Sequence, residues 1–247
     1  TTGSVWLRLL YELKNKPDDI VGPRGLKTDE LLNVHLVITS PHRNIFWHPV
    51  RNLQYRFMVA EWLWIWFGRE DVESIAKYNK HIAQFSDDGK IFTGAYGPRI
   101  KAQWSDIVAK LREDPNSRQA VVHIFDGIRN TKDVPCTLTI QFFIRNWHLF
   151  SIVNMRSSDI WLGLPYDMFN FSMLSLTLAA QLGVDMGSMF MNLGSSHLYE
   201  RDWEKADGVL AVPEVVEINS PSRLPGEPHP SLELSLEGLD GRTFDMG

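Results

Sequence analysis

The stretch PCTLTIQFFIRNWHLFSIVNMRSSDIWLGLPYDMFNFSMLSLTLAAQLG, residues 135–183, decides the fold. Leu138–Ile144 and Leu149–Asn154 are apolar runs flanking the polar Arg145–His148, the pattern of two strands joined as a hairpin. Residues 168–183 are apolar with small and hydroxyl side chains, long enough for a buried helix. Working upstream, Ala120–Phe125 is a short continuous apolar run that reads as a core strand. Trp104, Ile107, Val108 and Leu111 keep helical spacing, with Ser105 near the cap. Pro49 introduces a segment to Gly68 that is apolar on nearly every face, which predicts a buried helix starting at that proline. A strand is predicted around Leu31–Thr39, with Val34, Leu36 and Ile38 alternating. Pro17, Gly22, Pro23 and Gly25 make a loop carrying Arg24 and Lys27, and residues 5–14 form an amphipathic helix before it. Downstream, the segment from Pro221 is proline-rich and then alternates as Leu232, Leu234 and Leu236, an edge-strand pattern. Nothing linker-like divides the chain, so one α+β domain spanning 1–247 is expected.

The 247 residues carry 44% apolar and 22% charged side chains, a composition that supports a large core without staples. A net charge of −5 argues against a nucleic-acid binder that works by neutralising phosphates. The one cysteine, Cys136, excludes an intrachain disulfide and a multi-cysteine zinc site, so no metal is expected and a reducing, cytoplasmic setting fits best. The polar start Thr1-Thr2-Gly3-Ser4 shows no secretory signal. The most apolar stretch, Phe57–Phe67, is too short to span a bilayer and carries Glu61 in its middle, so no membrane partner is expected.

Four places concentrate chemistry. A lone cysteine is ordinarily an inert, buried small side chain, but Cys136 follows Asp133-Val134-Pro135 at a turn into a strand, where a thiol can face a cleft. Arg156, on the returning strand, is the cation that could lower its pKa. Arg156-Ser157-Ser158-Asp159 could grip a phosphate, because a guanidinium matches two phosphate oxygens in one plane; a surface arginine beside a polar turn is the plainer alternative. Asp167, after the tight turn Leu162-Gly163-Leu164-Pro165-Tyr166, could be a plain N-cap. Glu61, embedded among Met58, Val59, Trp62, Leu63 and Trp64, must be paired, solvated in a cleft or neutral.

Together these segments resemble the thymidylate synthase family. Pro135-Cys136, then Arg156-Ser157 and Asp159 twenty residues on, then Leu162-Gly163-Leu164-Pro165 repeat that family's nucleophile and nucleotide-binding region. Asp114-Pro115-Asn116-Ser117-Arg118 resembles the segment that lends an arginine to a partner subunit's phosphate site. Gly194, with His197-Leu198-Tyr199, resembles the strand that holds the sugar 3′-hydroxyl. Glu61-Trp62-Leu63-Trp64 resembles the helix bearing a catalytic glutamate, and Tyr96-Gly97 its neighbouring tyrosine loop. The resemblance implies a mixed β-sheet packed with helices, a homodimer formed through that sheet, and 5,10-methylenetetrahydrofolate as co-substrate. It also implies that Arg24, Arg156, Ser157 and the partner's Arg118 hold the nucleotide phosphate, and that His197 and Tyr199 hold the ribose. Asp159, Leu162, Gly163 and Tyr166 would line the folate, with Asp159 also near the base, and Tyr96 would join Cys136, Glu61 and Asp167 in catalysis.

The departures from the family pattern narrow the function. Asp167 stands where thymidylate synthases keep an asparagine whose amide matches uracil. Cytosine presents a 4-amino donor and a bare N3, which a carboxyl can meet by accepting from the amino group and, when protonated, donating to N3. Within the family this change accompanies cytidylate hydroxymethylases. Ile82 stands, by an ungapped count from Tyr96, where a folate-packing tryptophan is usual. The chain ends Thr243-Phe244-Asp245-Met246-Gly247 without the hydrophobic closing peptide, and both changes favour water over hydride as the final nucleophile. Gln119 replaces the second arginine of the usual pair, and Thr137 the histidine after the nucleophile. The expectation is a 5-hydroxymethylase of CMP or dCMP, the sugar being left open. The alternatives are thymidylate synthase or dUMP hydroxymethylase, and less favoured, a non-enzymatic nucleotide- or RNA-binding relative.

Overall fold

Helix α1 (Thr2–Asn15) leads through β1 (Asp19–Val21), β2 (Thr28–Ile38) and β3 (Ile45–Trp47) to α2 (Tyr55–Trp66) and the short α3 (Val72–Ala76). Then follow α4 (Tyr96–Glu113), β4 (Val121–His123), β5 (Thr137–Arg145), β6 (His148–Met155), β7 (Ser158–Asp159), α5 (Leu164–Leu182), β8 (Asp185–Tyr199), α6 (Trp203–Leu210) and β9 (Val216–Ile218). The computed structural model describes residues 1–127 and 131–218, apart from the side chain of Arg24. The predicted edge strand at Leu232–Leu236 and the C-terminal segment 243–247 lie outside the described residues.

The central hairpin is where the sequence placed it. β5 and β6 pair antiparallel across Asn146-Trp147, both with φ above 50°, the backbone of a two-residue turn whose twist matches its strands. The sheet is mixed, in the order β1-β2-β8-β6-β5-β4, with β7 added to β8. The β6–β8 and β7–β8 pairs are parallel and the others antiparallel. β3 and β9 form a separate ribbon.

Side-chain alternation divides the sheet into two faces. Ile140, Phe142, Leu149, Val153, Met189, Met191, Leu36 and Ile38 are buried on one face. Trp6 of α1 stacks on Phe46 and donates its indole N–H to the Ile160 carbonyl at 2.7 Å, tying α1 to the strand that leads into α5. On the other face, Phe143, Phe150, Ile152 and Phe190 are only half-buried. A polar row crosses four strands there: His35 Nδ1 meets Asn192 Oδ1 at 2.6 Å, Asn192 donates to Asn154 at 2.8 Å, and Asn154 donates to Thr139 at 2.9 Å.

Three local expectations are corrected. The helix predicted from Pro49 begins six residues later, at Tyr55. Residues 49–54 are held by side chains instead: the buried Arg51 guanidinium donates to the carbonyls of Asn52 and Trp161, and Gln54 N–H donates to the Tyr166 hydroxyl. That helix is also not buried all round, since Phe57, Met58, Trp62 and Ile65 form one buried stripe while Val59 is exposed. Ser105 is not near a cap, because α4 starts nine residues before it. Ala95 holds the cap position and has no side chain to bond with. The Arg99 guanidinium secures this end by donating to the carbonyls of Ala95 and Thr93 at 2.7 and 2.9 Å. Helix α5 ends where Gly183, at φ 70°, supplies the left-handed residue that closes it.

Candidate active site

Cys136 lies immediately before β5, and Arg156 and Ser157 immediately after β6, so strand pairing alone brings them together. Arg156 N–H donates to the Cys136 carbonyl at 2.8 Å, which fixes the backbones. The side chains then meet at the thiol: Ser157 Oγ lies 3.6 Å and Arg156 Nη2 3.7 Å from Sγ. Burial pushes the Cys136 thiol above its ordinary value, while the Arg156 guanidinium and the Ser157 hydroxyl pull it down. Arg156 also donates to the carbonyls of Pro135 and Val134, both at 2.9 Å, and to Ser157 Oγ at 3.1 Å. Most of its five N–H groups therefore brace the loop that carries Cys136.

The loop is clamped at both ends by the segment that opens α4. Asp133 accepts from the Gly94 amide at 2.6 Å, and Thr137 N–H donates to the Tyr96 hydroxyl at 3.3 Å. Gly94 is required for this approach, since a Cβ there would stand 2.5 Å from the Asp133 carbonyl. Tyr96 stacks parallel to Phe171 of α5. Burial, with Cys136 and Asp167 nearby, holds its phenol well above the usual range, so it stays protonated.

The acids come from helices. Glu61 on α2 accepts from Asn170 Nδ2 of α5 at 2.8 Å, and burial raises its pKa to about 7 despite that bond. Asp167 lies in the first turn of α5, one turn before Asn170. It does not cap the helix: Gly163 holds that position, and no side-chain hydrogen bond is made by Asp167 among the described residues. Burial and the nearby Glu61 and Asp159 carboxyls raise the Asp167 pKa well above the carboxylate range. Neighbouring carboxyls cannot both ionise cheaply, which favours the protonated form of Asp167.

The remaining expected residues divide. Asp159 accepts from the amides of Trp161 and Leu162 at 2.9 Å each and faces His197 across the β7–β8 pairing. Burial raises its pKa, and His197 counters that. His197 meets the Tyr199 ring edge-on at 5.2 Å, and Arg201 lies over that ring. Gly163 caps α5, Leu162 is exposed, and Tyr166 is buried with its ring against Phe57 and its hydroxyl on Gln54. Arg118 is exposed, with no side-chain bond to these groups among the described residues. Arg24 lies in a one-turn helix, Pro23–Gly25. Sequence reasoning missed Asn170, Arg51 and the Asp133–Gly94 clamp. An amide inside an otherwise apolar helix, three residues after Asp167, was the available signal for Asn170. Among the described residues, no cluster of three or more metal-ligating side chains occurs and no helix is long and apolar enough to cross a membrane.

Comparison with known proteins agrees with this geometry. The family model for thymidylate synthase matches residues 24–219. The chain is 36% identical over 209 residues to a deoxyuridylate hydroxymethyltransferase of Bacillus phage SP01, covering 76% of this chain and 55% of that protein. It is 34% identical over 205 residues to a protein of the same name from Pseudomonas phage M6, covering 77% and 58%. A putative thymidylate synthase of Methanothermobacter thermautotrophicus is 28% identical over 214 residues, covering 83% and 93%. The chain thus spans a little over half the length of the phage relatives. The family match runs from the loop before β2 to the end of β9, taking in every strand of the sheet except β1 and every segment that builds the site, and on that ground the chain belongs to the thymidylate synthase family.

Proposed function

We propose that this chain is a folate-dependent 5-hydroxymethylase of a cytosine nucleoside monophosphate, CMP or dCMP. The observation that carries the reading is the Asp167 carboxyl, which makes no side-chain hydrogen bond among the described residues and is raised well above the carboxylate range by burial and by the nearby Glu61 and Asp159. A neutral carboxyl can face cytosine or, with its oxygens exchanged, uracil, so hydrogen-bond matching alone does not separate the bases. Proton transfer does. Addition of a nucleophile at C6 makes N3 of cytosine strongly basic, and a carboxylic acid can protonate it where an asparagine amide cannot.

In this reading the Cys136 thiolate adds to C6 while Asp167 gives its proton to N3 and accepts from the 4-amino group. C5 then takes up the one-carbon unit of 5,10-methylenetetrahydrofolate. The C5 proton passes by way of water to the departing nitrogen of tetrahydrofolate, and the C5–CH2 unit is left as an exocyclic methylene. Water adds to that carbon and Glu61 takes the proton of the water. The returning electron pair re-forms the C5–C6 double bond and expels the thiolate, and the N3 proton returns to Asp167. Tyr96 holds the Thr137 amide and so the thiol's position. Arg24, Arg156, Ser157 and the partner's Arg118 hold the phosphate, His197 and Tyr199 the ribose, and Asp159, Leu162, Gly163 and Tyr166 the folate side. The half-buried sheet face bearing Phe143, Phe150, Ile152 and Phe190 joins two copies into a homodimer.

A second reading, hydroxymethylation of dUMP, is favoured by the names of the two phage relatives. Incubating CMP, dCMP and dUMP separately with 5,10-methylenetetrahydrofolate and weighing the products decides between them. A cytosine nucleotide gaining CH2O, with no dihydrofolate formed, is expected. A gain confined to dUMP would transfer the function to the second reading. A gain of CH2 with dihydrofolate would make the chain a thymidylate synthase.

A further inference from the structure

Asn170 is 4% exposed, and its two polar atoms are treated differently by the fold. Nδ2 donates to Glu61 Oε2 at 2.8 Å, whereas Oδ1 is buried without a hydrogen-bond partner. With Glu61 ionised, as it must be to accept a proton from water, the reverse amide orientation would set Oδ1 against the carboxylate, so in that state the bond to Glu61 fixes which end is left over. An orphaned buried carbonyl costs about 1–3 kcal/mol and calls for an explanation. Ser172 and Ser175, two nearby polar residues on the same helix, satisfy themselves by donating to carbonyls one turn back, so α5 does not tolerate loose polar atoms generally. The orphan occurs where Glu61 and Asp167 converge, and a water bound there would find an acceptor in Asn170 Oδ1 and another in the Glu61 carboxylate.

We infer that Asn170 seats the water that captures the exocyclic methylene, holding one of its hydrogens on Oδ1 while Glu61 accepts the other. This rests on the hydroxymethylase reading. The step balances: the water oxygen bonds to the methylene carbon, one proton goes to Glu61, the electron pair moves into the ring, and the C6–S bond to Cys136 breaks as the C5–C6 double bond returns. Asn170 orients the attacking lone pair and holds the base that receives the proton.

The test exploits competition for one intermediate. An exocyclic methylene is an electrophile that 2-mercaptoethanol can trap as a thioether, so the ratio of thioether to hydroxymethyl product reports water delivery whatever happens to earlier steps. With fixed 2-mercaptoethanol, N170A is expected to raise that ratio at least tenfold over wild type. N170S, which keeps an acceptor oxygen, is expected to fall between them. A ratio unchanged in both variants, with wild type making hydroxymethyl product, would overturn the water seat alone. Wild-type enzyme that makes no hydroxymethyl product from any pyrimidine nucleotide would overturn the function on which it rests.

Discussion

Cys136 and Asp167 stand near the same tyrosine hydroxyl but in opposite surroundings. Around Cys136 the structure gathers donors, Arg156 and Ser157 from a strand end, and clamps the loop from Asp133 to Thr137 against Gly94 and Tyr96. Around Asp167 it gathers other acids, Glu61 and Asp159, and supplies Asn170 as a donor to Glu61 only. Burial raises both groups, but only the thiol has a guanidinium and a hydroxyl beside it to counter that rise. The reaction proposed above, which begins with a thiolate and a protonated ring nitrogen, needs both at once. A strand end and a helix give each group its own hydrogen-bond neighbours, although the Asp167 carboxyl also bears on the thiol.

Three changes test that division. The largest effect is expected from Cys136→Ser, whose hydroxyl cannot ionise near neutral pH. Turnover should fall by about 10⁴-fold or more while nucleotide binding is retained. Residual turnover within tenfold of wild type would remove covalent catalysis from the strand-built half.

The helix-built half should show itself in stability. Glu61 has an ordinary value of 4.5 and a folded value of about 7, so the folded protein binds this proton more tightly than the unfolded chain. Its contribution is fully present below the unfolded value and is lost as pH rises through the folded one. The loss between those limits is about 3 kcal/mol. Glu61→Gln, neutral throughout, should remove that fall. Denaturant titrations of both proteins across this range measure the difference, and parallel curves would mean that Glu61 is not held protonated.

The smallest effect concerns Arg118. Arg118→Ala should weaken nucleotide binding by about 1.5–3 kcal/mol, the worth of a charge-assisted contact. Mixed dimers with Cys136→Ser subunits should recover activity, because each defect then falls in a different composite site. Verified heterodimers without recovery would confine the site to one chain.

The strand-built half was legible because it is local. Leu138–Ile144 and Leu149–Asn154 declare a hairpin, and a hairpin of that length necessarily returns Arg156 to Cys136. Glu61 was legible as a carboxylate among apolar side chains that had to be paired, solvated in a cleft or neutral, and the structure pairs it with Asn170. The rest depended on contacts distant in sequence. The Asp133–Gly94 clamp spans separate loops with no motif of its own. The start of α4 carries no capping side chain, since Ala95 leaves the task to Arg99, so Ser105 offered a false signal. Pro49 misled for a related reason: Arg51, buried on Trp161, holds residues that propensity alone would have given to the helix. Asn170 gained meaning only when α5 came to lie beside α2.

The claim that the proton on Asp167 selects the base is tested most directly by Asp167→Asn. The measurement is kcat/KM for cytosine and uracil monophosphates, with the mass of each product. An amide cannot protonate N3, so the preference for cytosine should fall by about tenfold to a hundredfold, equivalent to about 1–3 kcal/mol. The uracil product should still gain CH2O, because Glu61 and Asn170 are untouched. A folded Asp167→Asn variant that keeps the wild-type cytosine preference would contradict the account.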